Sequence, residues 1–314
     1  MYLVTGGAGF IGSHLVARLA SRGKAVRIFD DFSTGKLENV ASITGDIEIV
    51  KGDLRDAEAV RAAMAGVKVV FHQAADPSVP RSVADPRSCY DINVIGTLNV
   101  LTAARDAGVR RVVFASSCAV YGDTPAPTKS ESQPPQPASP YASSKLAGEE
   151  LCQVFTRVWG LETVALRYFN VYGPRQDPNS AYAPVIPRFL SALLEGKRPT
   201  IYGDGGQTRD FVYVGDVVQA NLLAAEAPDA VGRVFNIAAG RSVSLNQLLV
   251  LMAQLLGESP VVDRQPERPG DIRHSAADIS AAQEALGYEP LTSLEEGLEQ
   301  TIAAARTMSL ASVA

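Results

Sequence analysis

Tyr141 and Lys145 stand four residues apart in the stretch Ser139-Pro-Tyr-Ala-Ser-Ser-Lys-Leu-Ala-Gly148. On a helix that spacing sets a phenol and an ammonium on one face. A free phenol titrates near pH ~10, and bringing it to ~7 takes about 4 kcal/mol of differential stabilisation. A neighbouring cation supplies such stabilisation by favouring the phenolate. The chemistry on offer is proton exchange with a substrate hydroxyl. An exposed helix that carries both residues idly fits the stretch equally well. The helix itself is predicted locally, with Ser139 as N-cap and Pro140 at the first helical position, where no N–H is needed.

A second cluster, Thr5-Gly-Gly-Ala-Gly-Phe-Ile-Gly12, lies between a strand-like run and an amphipathic run. Gly6 permits a tight turn, Gly9 lets backbone approach a pyrophosphate, and Gly12 allows close helix packing, with the helix N-terminus facing the anion. Asp30 ends the next strand at the spacing of a ribose-binding carboxylate. With Asp31 beside it, a 2′-phosphate would be repelled, so NAD is expected over NADP. Asp53, in Gly52-Asp-Leu54, is placed either to accept from an adenine amino group or to cap the helix that starts at Ala57. Gln73-Ala74-Ala75 offers small residues where backbone would pass a dinucleotide. Asn93 falls inside a predicted helix, where it is locally unfavourable, and is either functional or a satisfied buried amide.

The elements that must position these residues alternate in kind. Leu3–Thr5, Val26–Phe29, Ile47–Val50, Val67–Phe71, Arg111–Ala115 and Leu161–Tyr168 read as strands. Between them, Ser13–Ser21, Ala57–Met64 and a long run over Cys89–Ala107 read as helices. Such alternation implies βαβ units and a doubly wound parallel α/β sheet with right-handed crossovers. Thr124–Pro140, rich in Pro, Ser and Thr, reads as a surface loop. Later helices are expected near Pro187–Gly196 and over Val214–Ala225, Leu245–Leu256 and Leu294–Thr307, with Ser309–Ala314 fraying. We expect a cofactor domain over 1–168 with a returning segment over about 210–237, and a smaller C-terminal α/β lobe over 169–314.

Bulk properties narrow the partners. A net charge of −5 without a basic block argues against nucleic acid. No apolar run reaches the ~18 residues that would suggest a membrane span. The three cysteines (Cys89, Cys118, Cys152) are odd in number and far apart, which points to reduced thiols. The three histidines are scattered, so no metal site is expected. A strand-like run from Tyr2 leaves no room for a signal peptide in this reading, and a cytoplasmic location is expected.

Taken together, Gly6/Gly9/Gly12, Asp30, Asn93, Ser116-Ser117, Tyr141-x-x-x-Lys145 and Arg167-Tyr-Phe-Asn-Val-Tyr-Gly173 resemble the extended short-chain dehydrogenase/reductase family. The closer resemblance is to its NAD-dependent nucleotide-sugar epimerases of the UDP-glucose 4-epimerase type, and it covers nearly the whole chain. It implies a Rossmann cofactor domain. It makes Tyr141 the acid/base, Lys145 its pKa-lowering partner and Ser117 the third, hydrogen-bonding member; without the resemblance, Ser117 would simply satisfy backbone at a strand end. The implied NAD site gathers Gly6, Gly9, Phe10, Ile11, Gly12, Asp30, Asp31, Ser33, Thr34, Gly35, Asp53, Leu54, Gln73, Ala74, Ala75, Asn93, Tyr141, Lys145 and Tyr168, the last beside the nicotinamide.

On the substrate side the resemblance implies Asn170, Arg209 and Arg268 at a UDP diphosphate, and Val185, Ile186, Ile201 and Tyr202 at the uracil. Asp271 falls in the region of the uridine ribose, and Ser78, Arg81 and Ser275 near the sugar. Absent the resemblance, Arg209 and Arg268 read as surface ion pairs and Asn170 as a turn residue. Dehydratase relatives carry an Asp-Glu pair where Cys118-Ala119 stands, and decarboxylase relatives a glutamate at Ala119, so simple epimerisation is implied, with Cys118 a packed thiol. A small Ser275, with Arg273-His-Ser275 and Gln176-Asp-Pro-Asn-Ser180, resembles the epimerases that accept UDP-N-acetylglucosamine. UDP-glucuronate is the alternative sugar, with Arg81 as its potential counter-ion; a non-catalytic NAD-binding regulator and a net dehydrogenase are the alternative activities. Homodimers through the helices of Asn93 and Tyr141 are implied by the same likeness.

Overall fold

Val69-Val-Phe-His72 is buried along its whole length, as a strand covered on both faces must be. It lies at the centre of a seven-stranded parallel sheet in the computed structural model, which describes residues 1–124, 126–177, 184–259, 261–267 and 273–311, with side chains through residue 307. In chain order the strands are β1 (Tyr2–Thr5), β2 (Val26–Asp30), β3 (Ile47–Lys51), β4 (Val69–His72), β5 (Arg111–Ser117), β6 (Glu162–Tyr168) and β7 (Val234–Ile237). Their order across the sheet is β7-β6-β5-β4-β1-β2-β3. The direction of winding reverses between β1 and β4, the crevice where doubly wound sheets take their ligands.

Alternate residues of each strand enter different cores. Val4, Phe71, Val113 and Leu166 pack under helices α1 (Phe10–Ser21) and Val214–Glu226. Leu3, Val70, Val112 and Ala165 pack under α2 (Gly96–Asp106) and α3 (Pro140–Trp159). Fully burying one such side chain contributes about 1.5–3 kcal/mol, and the period of two ties sheet register to both layers.

A smaller five-stranded sheet lies beyond the carboxyl ends of the large one. Ser242–Ser244, Thr208–Tyr213, His274–Ala277 and Thr128–Lys129 run in that order, and Asn170–Tyr172 pairs with the end of Thr208–Tyr213. Thr200–Tyr202 and Asp263–Gln265 form a separate parallel pair. Val234–Ile237 and the helix before it return to the large sheet, whereas Thr208–Tyr213 stays in the small one. The stretch read as a plain loop before α3 thus contributes the strand Thr128–Lys129.

Three local expectations are corrected. The long helix over Cys89–Ala107 is three pieces: Pro86–Tyr90, a wide π turn over Asp91–Ile95, and α2. Such single π turns occur inside α-helices; here the Thr97 hydroxyl donates to the Asn93 carbonyl at 2.6 Å, competing with backbone for that acceptor. The helix at Ala57 is capped by Asp56, whose carboxylate accepts from the N–H groups of Glu58 and Ala59, and not by Asp53. The C-terminal helix extends to Ala311, past the expected Thr307.

Candidate active site

Helix α3 starts where the sequence indicates, with the Ser139 hydroxyl accepting from Ala142 N and Pro140 in the first turn. Gly148 is what lets it lie against β5: a Cβ there would collide with the Phe114 ring. At that close approach Lys145 donates to the Ala115 carbonyl at 2.8 Å and lies 5.1 Å from the Phe114 ring centre. Ser117 ends β5, and its hydroxyl acts to lower the pKa of the Tyr141 phenol. Ser117, Tyr141 and Lys145 are therefore brought together.

Their electrostatics differ from the simple picture of a lysine lowering a tyrosine's pKa. In the protein by itself, burial pushes the Tyr141 phenol up to about 12, against a lowering by Ser117. Burial also draws Lys145 down to about 8, with Cys89 and Glu149 acting to raise it. The phenol is thus held protonated until further positive charge arrives beside it. Cys118, adjacent to the triad, has its thiol pushed up to about 11 by burial, consistent with an inert thiol.

On the cofactor side, a Cβ at Gly6 would lie 2.7 Å from Ala74 N, and one at Gly12 would collide with the Gly6 carbonyl. Helix α1 has no side-chain cap and no carboxylate in its first turn, so the N–H groups of Phe10, Ile11 and Gly12 remain for an anion. Asp30 is buried at the end of β2 and accepts from Ala8 N and Phe32 N, both at 2.9 Å. Its pKa is raised by burial and by Asp31. Gly35 is needed beside it, since a Cβ would come within 2.8 Å of the carboxylate. Asp31 is turned to Ser33, accepting its N–H and hydroxyl; Thr34 is exposed between them and Gly35. This cradle fits a dinucleotide diphosphate and a ribose without a 2′-phosphate.

Other residues assigned to the cofactor are held mainly by the protein. Asp53 forms a bidentate ion pair with Arg55, which lowers its pKa, while Leu54 packs in the core under α2. Asn93 is buried: its Oδ1 accepts from Asp76 N at 2.7 Å, and its Nδ2 donates to Asp76 O and Ser144 Oγ. Ser144 in turn donates to the Tyr141 carbonyl at 2.8 Å. The amide thus ties the chain after β4 to α3. Tyr168, opposite Ser117 in register, shares its hydroxyl with Gln73 and Asn221. Ala75 lies in the turn that follows.

Sequence reasoning missed Asn221 and Asp76. The signal for Asn221 was the one used for Asn93, a polar amide inside a helix. Asp76 is almost wholly buried and pairs with Arg81 at 2.6 Å, and its charge acts to raise the Tyr141 pKa. Ser78 is the N-cap of Val79–Ala84, accepting from Arg81 N.

Of the substrate-side residues, Asn170, Arg209 and Ser275 lie on strands of the small sheet. Arg209 is the register neighbour of Ser275, which is buried, and its charge reaches Cys118 beside the triad. Asn170 donates to the Asp210 carbonyl at 3.1 Å. Asp210, buried among the N–H groups of Ala239, Ala277, Gly240 and Arg241, is pushed up to about 6 by burial. Val185 and Ile186 open the helix Val185–Leu194; Ile201 and Tyr202 lie in the strand Thr200–Tyr202, the latter under Arg188. Arg268, Asp271 and the stretch 178–180 lie outside the described residues. Among the described residues no group of three or more His, Cys, Asp and Glu is arranged to hold a metal, and no helix is long and apolar enough to cross a membrane.

This chain is 43% identical over 305 residues to the UDP-glucose 4-epimerase of Mycolicibacterium smegmatis, covering 96% of each. A solved UDP-N-acetylglucosamine 4-epimerase from Methanobrevibacter ruminantium, in complex with UDP-N-acetylmuramic acid, superposes with a TM-score of 0.94 at 42% identity over 98% of both chains. The UDP-glucose 4-epimerase of Thermotoga maritima with UDP-glucose gives 0.92 at 40% identity, over 98% of this chain and 99% of that one. Residues 2–238, from β1 through β7, match the NAD dependent epimerase/dehydratase family, and with these relatives the chain belongs to that NAD-using family.

Proposed function

We propose that the protein interconverts UDP-hexoses at carbon 4, acting on UDP-glucose and UDP-galactose and on their N-acetylated counterparts. The convergence of Ser117, Tyr141 and Lys145 at the end of β5, with the glycine turn on one side and Arg209 with Ser275 on the other, carries the reading. When bound, NAD would supply hydride acceptance and donation at carbon 4, by way of a transient 4-keto sugar. Tyr141 removes the 4-hydroxyl proton as hydride departs and restores it afterwards. Lys145, charged below its pKa of about 8, favours the phenolate, and Ser117 fixes the ring oxygen. Arg209, with Arg268 and Asn170, grips the diphosphate; a guanidinium fork suits phosphate. The sugar can then turn over without leaving.

In this reading residues 1–168 with the returning β7 segment hold NAD, and 169–314 mainly hold the UDP-sugar. Ser275 leaves room for a 2-acetamido group beside Arg209. Arg81 is already committed to the buried Asp76, which counts against UDP-glucuronate, since a sugar carboxylate would meet an engaged cation and a second carboxylate. The test is incubation of purified protein with UDP-glucose, UDP-N-acetylglucosamine and UDP-glucuronate without added NAD, with the products separated by chromatography. The first two are expected to epimerise. Ser275→Tyr should lose at least about tenfold in kcat/KM on the N-acetylated sugar while keeping UDP-glucose turnover, about 1.4 kcal/mol of discrimination by shape. Equal turnover of both sugars by that variant would remove the pocket argument.

We also propose a homodimer through α2, its preceding turn and α3. Ile95, Leu98, Val154 and Val158 are all exposed there, Val158 by 64%, and an apolar face of that kind calls for cover. Sedimentation should give twice the 33.2 kDa protomer mass, and Val158→Glu should return the protomer.

A further inference from the structure

Lys145 is buried, and the acceptor of its ammonium is a neutral group, the Ala115 carbonyl at 2.8 Å. A buried cation needs an opposite charge nearby to stay ionised. Most of the titratable groups around it supply none. His72, on β4, is drawn down to about 3 by burial and by Lys145 itself, so its ring is neutral. The Cys89 thiol, on the helix Pro86–Tyr90, and the Cys118 thiol, after β5, are pushed up by burial and are neutral as well. Tyr141, one turn earlier on α3, is a protonated phenol in the protein by itself. Asp76, after β4, acts on Tyr141 and Cys89, but its carboxylate is already paired with Arg81.

That leaves Glu149. It stands four residues beyond Lys145 on α3 and so on the same face. It is 2% exposed, against 4% for Lys145. The two side chains meet adjacent residues of β5: Lys145 donates to the Ala115 carbonyl, and Ser116 donates to Glu149. Burial draws Lys145 down to about 8, and of the two groups that act to raise it, Cys89 and Glu149, only the carboxylate carries charge at neutral pH. That carboxylate is shared, since Arg167 on β6 pairs with it at 2.7 Å. Two buried cations thus draw on one buried anion. We propose that Glu149 is a positioning residue for the proton transfer, acting through Lys145: its carboxylate keeps the ammonium charged beside Tyr141, and Arg167 limits how strongly. Without Glu149, burial and the stranded Arg167 act together, and Lys145 loses its proton at lower pH. The inference rests on the proposed epimerisation only for the use to which that charge is put.

The test uses holoenzyme made with carbon-13 lysine. The Lys145 Cε resonance, assigned with Lys145→Arg, is followed against pH, and kcat on UDP-glucose is measured over the same range. Glu149→Gln should lower the Lys145 midpoint by about one pH unit or more, and the alkaline limb of kcat should move down with it. Arg167→Met leaves the carboxylate to Lys145 alone, so midpoint and limb should both move up. Glu149→Asp keeps the charge and should stay close to the parent. Opposite shifts from two variants that break the same ion pair are what a purely structural role cannot give. Turnover lost evenly across pH, with the midpoint unmoved in both variants, would overturn the proposal. A midpoint that moves without the kcat limb would overturn it too. A parent that titrates as expected but leaves UDP-glucose unchanged would instead count against the reaction, and not against the pairing of Glu149 with Lys145.

Discussion

Tyr141→Phe is expected to lower epimerase turnover by about a thousandfold, within the usual ~10²–10⁴ range for removal of a general acid/base, while resident NAD and melting temperature stay unchanged. The variant keeps the ring and the α3 contacts and deletes only the phenol oxygen, whose pKa Ser117 acts to lower. That oxygen is the group here poised to take a proton from a sugar hydroxyl, because Lys145 is turned to the Ala115 carbonyl and the Cys118 thiol is held up to about 11. With the phenol pushed up to about 12 by burial, the parent should be a poor base without its cofactor and should gain basicity when a positively charged ring lies alongside. Single-turnover mixing with UDP-glucose, followed by nicotinamide absorbance, checks the chemical step apart from product release. Retention of more than about a tenth of parental turnover would exclude the phenol as the proton carrier.

The second large effect is on stability. Glu149 and Arg167 form an ion pair at 2.7 Å in which both side chains are almost fully buried. Ser116 donates to the same carboxylate, and the guanidinium stacks 4.7 Å from the Tyr121 ring centre. Glu149→Ala strands a buried cation, and breaking such a pair costs about 3–5 kcal/mol. At roughly 2–4 °C per kcal/mol for chains of this order, the melting temperature should fall by about 10 °C. Glu149→Leu with Arg167→Met removes both charges and should be less destabilised than Glu149→Ala alone, because no ion is left unpaired. If the double variant melts lower than the single, the pair is stabilising in its own right and the desolvation argument fails.

The large sheet was legible because its signals are local. A wholly apolar run such as Val69–Phe71 can only be buried, and the glycine turn and the Ser139-Pro140 start of α3 are written within a few residues. The spacing of Tyr141 and Lys145 fixed their shared face but not their charge states, which depend on packing against β5 and β6. Asp53 shows the limit sharply: the cap read at Asp53 is made instead by Asp56, immediately before Ala57. The partners of Asn93, Tyr168 and Arg81 are not sequence neighbours in helical or strand register, so no periodicity points to them. The small sheet was least legible, its strands being two to six residues long and scattered over half the chain.

That scatter bears on the order in which the molecule is made. Thr128–Lys129 pairs with Ala276-Ala277, and β7 joins β6 only after the helix Val214–Glu226 has been synthesised. Pairings this distant in sequence form slowly, and during synthesis α1 and the first strands emerge long before their distant partners. The nascent chain therefore has the glycine turn and Asp30 before it has the strands that carry Arg209 and Ser275. On the proposed division, the cofactor half is made ahead of the substrate half, and a chain cut short before His274 would lack the strand that carries Ser275.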